Sequence, residues 1–386
     1  MRIILAILTI FTLASGQAYN RLLPFFTTGP KATALNGSSQ YWAKASPSNV
    51  DFNGSEVLTN GTFDANVAGW AGVDASIAYE TTTKRTGAGS CKVTSTGGLN
   101  GYLASNNVAN TTNGNFTFEC WVYAPTATVL KTVRLQVRNQ SLGTLYQSGN
   151  TTLVANTWTK LVVNGASGGS QTGLRVAIQW VGTPTAGDII YVDDASLKQA
   201  YDAVWGGFIR TSASGVQTIC AAGFSSSLRT SMFLNNNTAT VTVSDGTTSV
   251  SATNSATVND GRHHAFFATL SRTGNLTLYV DGVAGTGVSA TAVGIIAVDS
   301  IYVGRGLTGS YFNGQIEQRQ RIRYTSLPSD IAQQLSDIYA QGKLKPPYGE
   351  GVITTWYDWR SGGYDKSGNG NNLTPVNSPL IINVQK

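Results

Sequence analysis

Charged residues are scarce: Asp, Glu, Lys and Arg make up 12% of the chain, about half the ~25% usual in soluble domains. Runs of Glu, Lys, Leu and Ala are missing as well, which excludes a fold built on long helices. The only two histidines, His263 and His264, are adjacent, and the three cysteines, Cys91, Cys120 and Cys220, have no neighbour at metal-ligand spacing. A zinc site of the usual Cys/His kind and a complete disulfide framework are therefore both excluded. The thiols are expected as free, buried side chains, with a single Cys91–Cys120 bridge as the alternative. The net charge of +6 is spread along the chain without a basic block, so nucleic acid is not an expected partner. Long apolar runs are also lacking. The most apolar stretch, Ile3 to Ala14, lies between Met1-Arg2 and Ser15-Gly16-Gln17-Ala18 and falls short of the ~20 residues that span a membrane. It reads as a signal-like or docking segment over 1–18.

Catalytic signatures are missing too. Retaining glycoside hydrolysis needs two carboxyl groups ~5–5.5 Å apart, which one strand supplies from alternating acidic positions. No Glu-x-Asp-x-x-Glu run occurs, and the nearest approach, Glu317-Gln318-Arg319-Gln320-Arg321, is mostly basic and amide. Neither His-Glu-x-x-His nor a Walker loop is present. The two histidines would point to opposite faces of a strand and cannot act together on one ligand. The chain is read as a non-enzyme.

What is abundant is Gly (43 residues), Thr, Ser and Asn, together with 16 Tyr and 8 Trp, the composition of all-β sandwiches. Strict alternation marks the strands. Phe116, Phe118, Cys120 and Val122 share one face, with Thr117, Glu119, Trp121 and Tyr123 on the other. Leu276, Leu278 and Val280 alternate likewise before a hairpin turn at Asp281-Gly282. One helix is predicted near the C-terminal end, with Ser329 as N-cap, Asp330 in the first turn, and Ile331, Leu335 and Ile338 on its apolar face.

Two families are legible. Glu56-Val57-Leu58-Thr59-Asn60-Gly61-Thr62-Phe63-Asp64, then Gly69-Trp70, Gly89-Ser90-Cys91-Lys92-Val93, Phe116 to Val122, and the closing Asp188 to Leu197 together resemble the jelly-roll carbohydrate-binding modules attached to xylanases and glucanases. Around them, Leu35-Asn36-Gly37-Ser38-Ser39-Gln40-Tyr41-Trp42, Val204 to Thr211, Gly261-Arg262-His263-His264-Ala265-Phe266, Leu276 to Gly282 and Phe312 to Ile316 resemble a laminin-G-like (concanavalin-like) sandwich. That pattern departs from the family at Arg262, where a Trp usually stands.

The predicted fold is therefore all-β: two antiparallel β-sandwich (jelly-roll) domains, one inserted in the other, with one short C-terminal helix. Residues 31–55 plus 199–345 form the laminin-G-like host, 56–198 the insert, and 346–386 a tail that folds back onto its own sandwich or onto a neighbour. Insertions of this kind survive at loop tips between strands.

The resemblance to carbohydrate-binding modules implies a glycan or polysaccharide ligand on outward strand positions of the insert. Those positions carry Glu119, Trp121 and Tyr123; Arg134, Gln136 and Arg138; and Arg175 and Gln179, residues that stack on sugar rings or bond hydroxyls. The alternative is a solvent-facing sheet without a ligand. Trp70, Trp158 and Trp180 are expected as core or loop anchors. The same resemblance implies a structural calcium (Ca2+) at Asp64 and Asp194, with the local turn role of Asp as the alternative. Charge-poor nested sandwiches resemble attachment proteins of bacterial viruses. The expected function is non-catalytic glycan recognition at a virion surface, as a spike, fibre or decoration, in company with further copies or other virion proteins. The alternatives are an extracellular or cell-surface bacterial polysaccharide-binding protein and a purely structural sandwich.

Overall fold

The structure, a computed structural model, describes residues 31–47, 50, 52–109, 114–168, 171–225, 227–342, 351–359 and 362–383; the apolar segment 1–18 lies outside them. Among the described residues, all regular structure is β except the helix Ile331–Gln341. Four antiparallel sheets pair into two sandwiches.

The host sandwich faces a nine-stranded sheet against a seven-stranded one. The first runs Val283–Ala284, Asn275–Val280, His263–Leu270, Asp202–Arg210, Asn313–Tyr324, Lys31–Asn36, Leu380–Asn383, with Val288–Ser289 and Val352–Tyr357 attached at its side. The second runs Ser249–Asn254, Thr238–Asp245, Leu228–Asn235, Val216–Gly223, Ser300–Val303, Tyr41–Ala45, Thr374–Val376. Between them lie Trp42, Trp205, Met232, Phe266, Leu276, Leu278, Val280 and Trp359. Leu276, Leu278 and Val280 are at most 1% exposed, and each such side chain contributes roughly 2 kcal/mol by burial. Their hairpin turns at Asp281 (φ +52°) and Gly282 (φ +79°), the pair of left-handed residues that a two-residue turn requires.

The tail is part of this sandwich. Val352–Tyr357 pairs with Asn313–Tyr324, Thr374–Val376 with Tyr41–Ala45, and Leu380–Asn383 with Lys31–Asn36. Trp359 packs 5.1 Å from Trp42, centroid to centroid, and is fully buried. The tail thereby covers an edge in each sheet that would otherwise offer unpaired backbone. The predicted host boundary at residue 345 accordingly moves out to 383. The helix begins one residue later than expected: Asp330, not Ser329, is its N-cap, and it makes no side-chain cap bond. Leu335 and Ile338 pack with Val204, Phe208 and Phe267 on the outer face of the nine-stranded sheet.

The insert pairs a six-stranded sheet with a seven-stranded one. The six-stranded order is Thr159–Ala166, Asn115–Tyr123, Ile189–Ala200, Ser90–Ser95, Ala75–Glu80, with Asn53–Glu56 beside Ile189–Ala200. The seven-stranded order is Thr144–Gln147, Thr132–Asn139, Gly173–Trp180, Tyr102–Ser105, Trp70–Val73, with Thr151–Thr152 and Val108–Ala109 attached. Phe116, Phe118, Cys120 and Val122 face the core at no more than 2% exposure, as their alternation predicts. The chain enters and leaves the insert side by side, Asn53 opposite Ala200 and the Tyr201 N–H donating to the Phe52 carbonyl at 2.9 Å. All three cysteines are free and buried; burial pushes the Cys91 thiol up to about 12.

Candidate functional site

The eight predicted glycan-contacting residues do not share a face. Glu119, Trp121 and Tyr123 lie on Asn115–Tyr123, in the six-stranded insert sheet. Arg134, Gln136, Arg138, Arg175 and Gln179 lie on Thr132–Asn139 and Gly173–Trp180, in the seven-stranded one. Outward positions of two stacked sheets point away from each other, so the single cleft read from the sequence is divided.

On the six-stranded sheet the outward residues are already engaged. Glu119 accepts from the Ile295 backbone at 2.8 Å and pairs with Lys160 at 3.2 Å, and Lys160 also reaches Asp245 of the host at 3.3 Å. Beside it Arg272 is fully buried and donates to Thr117 and Asn164 of the insert and to the Val293 and Gly294 carbonyls of the host. Desolvation lowers its guanidinium to about 10. This sheet is the one on which the insert docks against its host. Trp121 stacks under the Arg85 guanidinium, 3.7 Å from its ring centre, and Arg85 is held by Asp194 at 2.7 Å. Tyr123 packs on Trp158 and Tyr191 and donates to Asn156 at 3.1 Å. Trp121 is thus occupied by a cation rather than open to a sugar.

The seven-stranded sheet carries a different surface. Register pairs Arg134 with Gln179, Gln136 with Ala177, and Arg138 with Arg175, and continues from Gln179 to Tyr102 and from Ala177 to Ala104 and Ala71. Side chains in register across a sheet share a face, so these residues form one field on the outer side of the sheet, in which Gln136, Arg138 and Gln179 are buried and Arg134, Arg175 and Tyr102 half-buried. Arg134 Nε donates to Gln179 Oε1 at 2.8 Å, Arg138 Nε to Gln136 Oε1 at 2.9 Å, and Gln136 Nε2 to Gln147 Oε1 at 2.9 Å. Gln179 is anchored to the Asn100 carbonyl at 3.0 Å, and the Arg138 guanidinium lies 4.1 Å from the Tyr102 ring centre. Arg175 Nε is buried without a hydrogen-bond partner. Three alanines form a low floor among these groups. Tyr102 and Gln147 were not among the predicted residues. Register places them on the field, and register cannot be counted from one strand alone.

Asp64 and Asp194 both bond to the 85–88 loop. Asp64 accepts from the Ala88 N–H at 2.7 Å, the main cause holding its carboxyl below the usual range. Asp194 takes the Arg85 guanidinium and the Thr86 hydroxyl. The cation that Asp194 faces is a side chain, and no group of three His, Cys, Asp or Glu comes together among the described residues. Both aspartates instead fasten the 85–88 loop over Trp121. Of the predicted anchors, Trp180 is fully buried, Trp70 packs on Phe63 in the core, and Trp158 rests on Tyr123. His263 pairs with Glu317, while His264 sits between Asp281 at 2.8 Å and Asp260 at 2.9 Å. The two rings are structural and point apart.

With this geometry in place, the sequence comparison is specific to the insert: residues 55–185 match the family model described as a carbohydrate binding domain. No curated protein matches the chain. Among solved structures, the chain is similar to the CBM22-1 xylan-binding domain of Paenibacillus barcinonensis at 13% identity, covering 38% of this chain and 94% of that one, with a TM-score of 0.30. The CBM40 of a Ruminococcus gnavus sialidase gives 15% identity over 35% of this chain and 82% of its own, TM-score 0.30. Domains LG4-5 of the mouse laminin α1 chain give 12% identity over 55% and 84%, TM-score 0.28.

Proposed function

We propose that the chain is a non-catalytic glycan-recognition protein and that its insert holds an extended glycan on the outward field of the seven-stranded sheet. The observation that carries this reading is a field of three guanidinium and two amide side chains on one face, in which Arg134 bonds Gln179, Arg138 bonds Gln136, and Arg175 stands in register with Arg138. The two bonded pairs hold their members in fixed rotamers, so the donors left over on the half-buried Arg134 are preorganised for sugar hydroxyls, which lowers the ordering cost of binding. The match of 55–185 to a carbohydrate binding domain supports the same assignment. The setting proposed is an attachment protein at a virion surface; an extracellular bacterial protein is the second reading, favoured by the signal-like 1–18. Mass spectrometry of the natural N-terminus separates them, by an intact Met1 on a particle or an end near Gln17.

A glycan array followed by calorimetric titration tests the site. Arg134→Ala is expected to weaken binding about tenfold or more, since a hydrogen bond to a charged group is worth ~1.5–3 kcal/mol. No polysaccharide in the panel should yield new reducing ends. Equal affinity of wild type and Arg134→Ala for every sugar bound, or binding to none, would sink the assignment.

A further inference from the structure

The host sandwich carries a second cluster that the insert does not explain. The segment Gly304–Phe312 folds as a tight hairpin, closed by a bridge between Arg305 and Tyr311 and by the Gly306 N–H donating to Ser310 at 2.9 Å. It rises over the outer face of the seven-stranded host sheet. On one side of it the Arg305 guanidinium is ringed by Tyr41, Tyr302 and Tyr311 at 4.9, 5.2 and 5.9 Å from their ring centres. Arg305 reaches the Tyr41 hydroxyl at 3.3 Å, and its Nε is buried without a partner. On the other side lies a cavity of about 150 Å³ lined by Thr218, Arg229, Ser231, Phe233, Leu307 and Thr308, among others.

A cavity of this volume accepts a six-membered ring. Its lining divides into an apolar wall (Phe233, Leu307), hydroxyls (Thr218, Ser231, Thr308) and one cation. No ion pair joins Arg229 or Arg305 to a carboxylate among the described residues. An unneutralised guanidinium beside hydroxyls and a ring-sized apolar wall is the donor set for a sugar ring that bears an anionic group. The tyrosine ring around Arg305 makes the hairpin rigid, because a guanidinium stacked on aromatic faces gives up its freedom. Beyond the cavity, register carries Ser231 on to Thr242 and Ser251, which bond each other at 2.7 Å. The net charge of +6 favours the same ligand sign.

We propose that this cavity is a second glycan site, in the host, specific for an anionic sugar unit that Arg229 binds through its charge. It is independent of the insert field. The test uses the full chain and titrates oligogalacturonate, a sulfated galactan oligomer and neutral xylohexaose. Either anionic oligomer should bind with an affinity that falls as salt is raised. Arg229→Gln should weaken that binding at least tenfold with an unchanged melting temperature. Thr308→Trp, an exposed substitution at the hairpin tip, should block it by filling the cavity and guards against a misfolded Arg229 variant. Arg134→Ala in the insert should leave it intact, which separates failure here from failure of the insert site. Carboxylated against sulfated preference identifies the anion. The proposal is overturned if neither anionic oligomer binds, if both host variants bind as wild type, or if Arg134→Ala alone abolishes the binding.

Discussion

Trp121 illustrates how a residue suited to stacking is used otherwise. Its ring lies beneath Arg85, which Asp194 fixes, and the backbone N–H groups of Arg85 and Thr86 are both held by Asp193. Asp193 is fully buried there, and burial raises its carboxyl despite those N–H donors. Trp121→Ala should therefore lower the melting temperature, by about 2 kcal/mol of stability from lost packing and cation–π contact, while glycan affinity stays that of wild type. Loss of affinity in a variant that melts normally would return Trp121 to the binding face. A second residue sets a pH response. His264 is raised above the ordinary imidazole value, first by its bond to Asp281 and then by Asp260. The folded state holds this proton more tightly than the unfolded chain, so the stabilisation is complete below about pH 6.5 and drains away as pH rises through the folded value. Melting temperature should fall as pH rises above about 6.5, and His264→Gln should flatten that slope. An identical slope in both proteins would rule the clamp out.

At the scale of elements, alternation within one strand was readable without a structure. Phe116, Phe118, Cys120 and Val122 announced an inward face, and the Leu276, Leu278 and Val280 strand with its Asp281-Gly282 turn is where the pattern put it. Which sheet a strand joins is a long-range property that no local period encodes. That is why Trp121 and Arg134 were read onto one face although they stand on opposite sheets. Which of the two partners the tail takes, its own sandwich or a neighbour, is left open by the sequence for a similar reason: its strands are short, three to six residues, and gain their register from Tyr41–Ala45, Lys31–Asn36 and Asn313–Tyr324 rather than from themselves. Interface residues were also illegible. Glu119 and Lys160 look like ordinary solvent-facing charges until the host loop at Val293 to Ile295 is laid over them.

For the molecule as a whole, the buried network at the junction couples the two sandwiches. Arg272 donates to both at once, and Lys160 is shared between Glu119 and Asp245 at 7% side-chain exposure. Removing one partner from such a buried set typically costs ~3–5 kcal/mol because a charge is left without compensation. Calorimetry of the intact protein should show one cooperative transition, and Arg272→Ala should split it into two as the sandwiches uncouple. Two transitions already in the wild type would mean independently melting modules.

The paired crossing at Phe52–Asn53 and Ala200–Tyr201 has a mechanical meaning. A domain strung end to end hangs on one covalent thread and can swivel about it. This one is held by two threads running side by side, hydrogen-bonded to each other. A pull on the insert is divided between both threads before it reaches the host, and rotation about either is blocked by the other. On the proposed function, the heading of a glycan held by the insert would thereby be transmitted to the host as torque, not lost in a hinge.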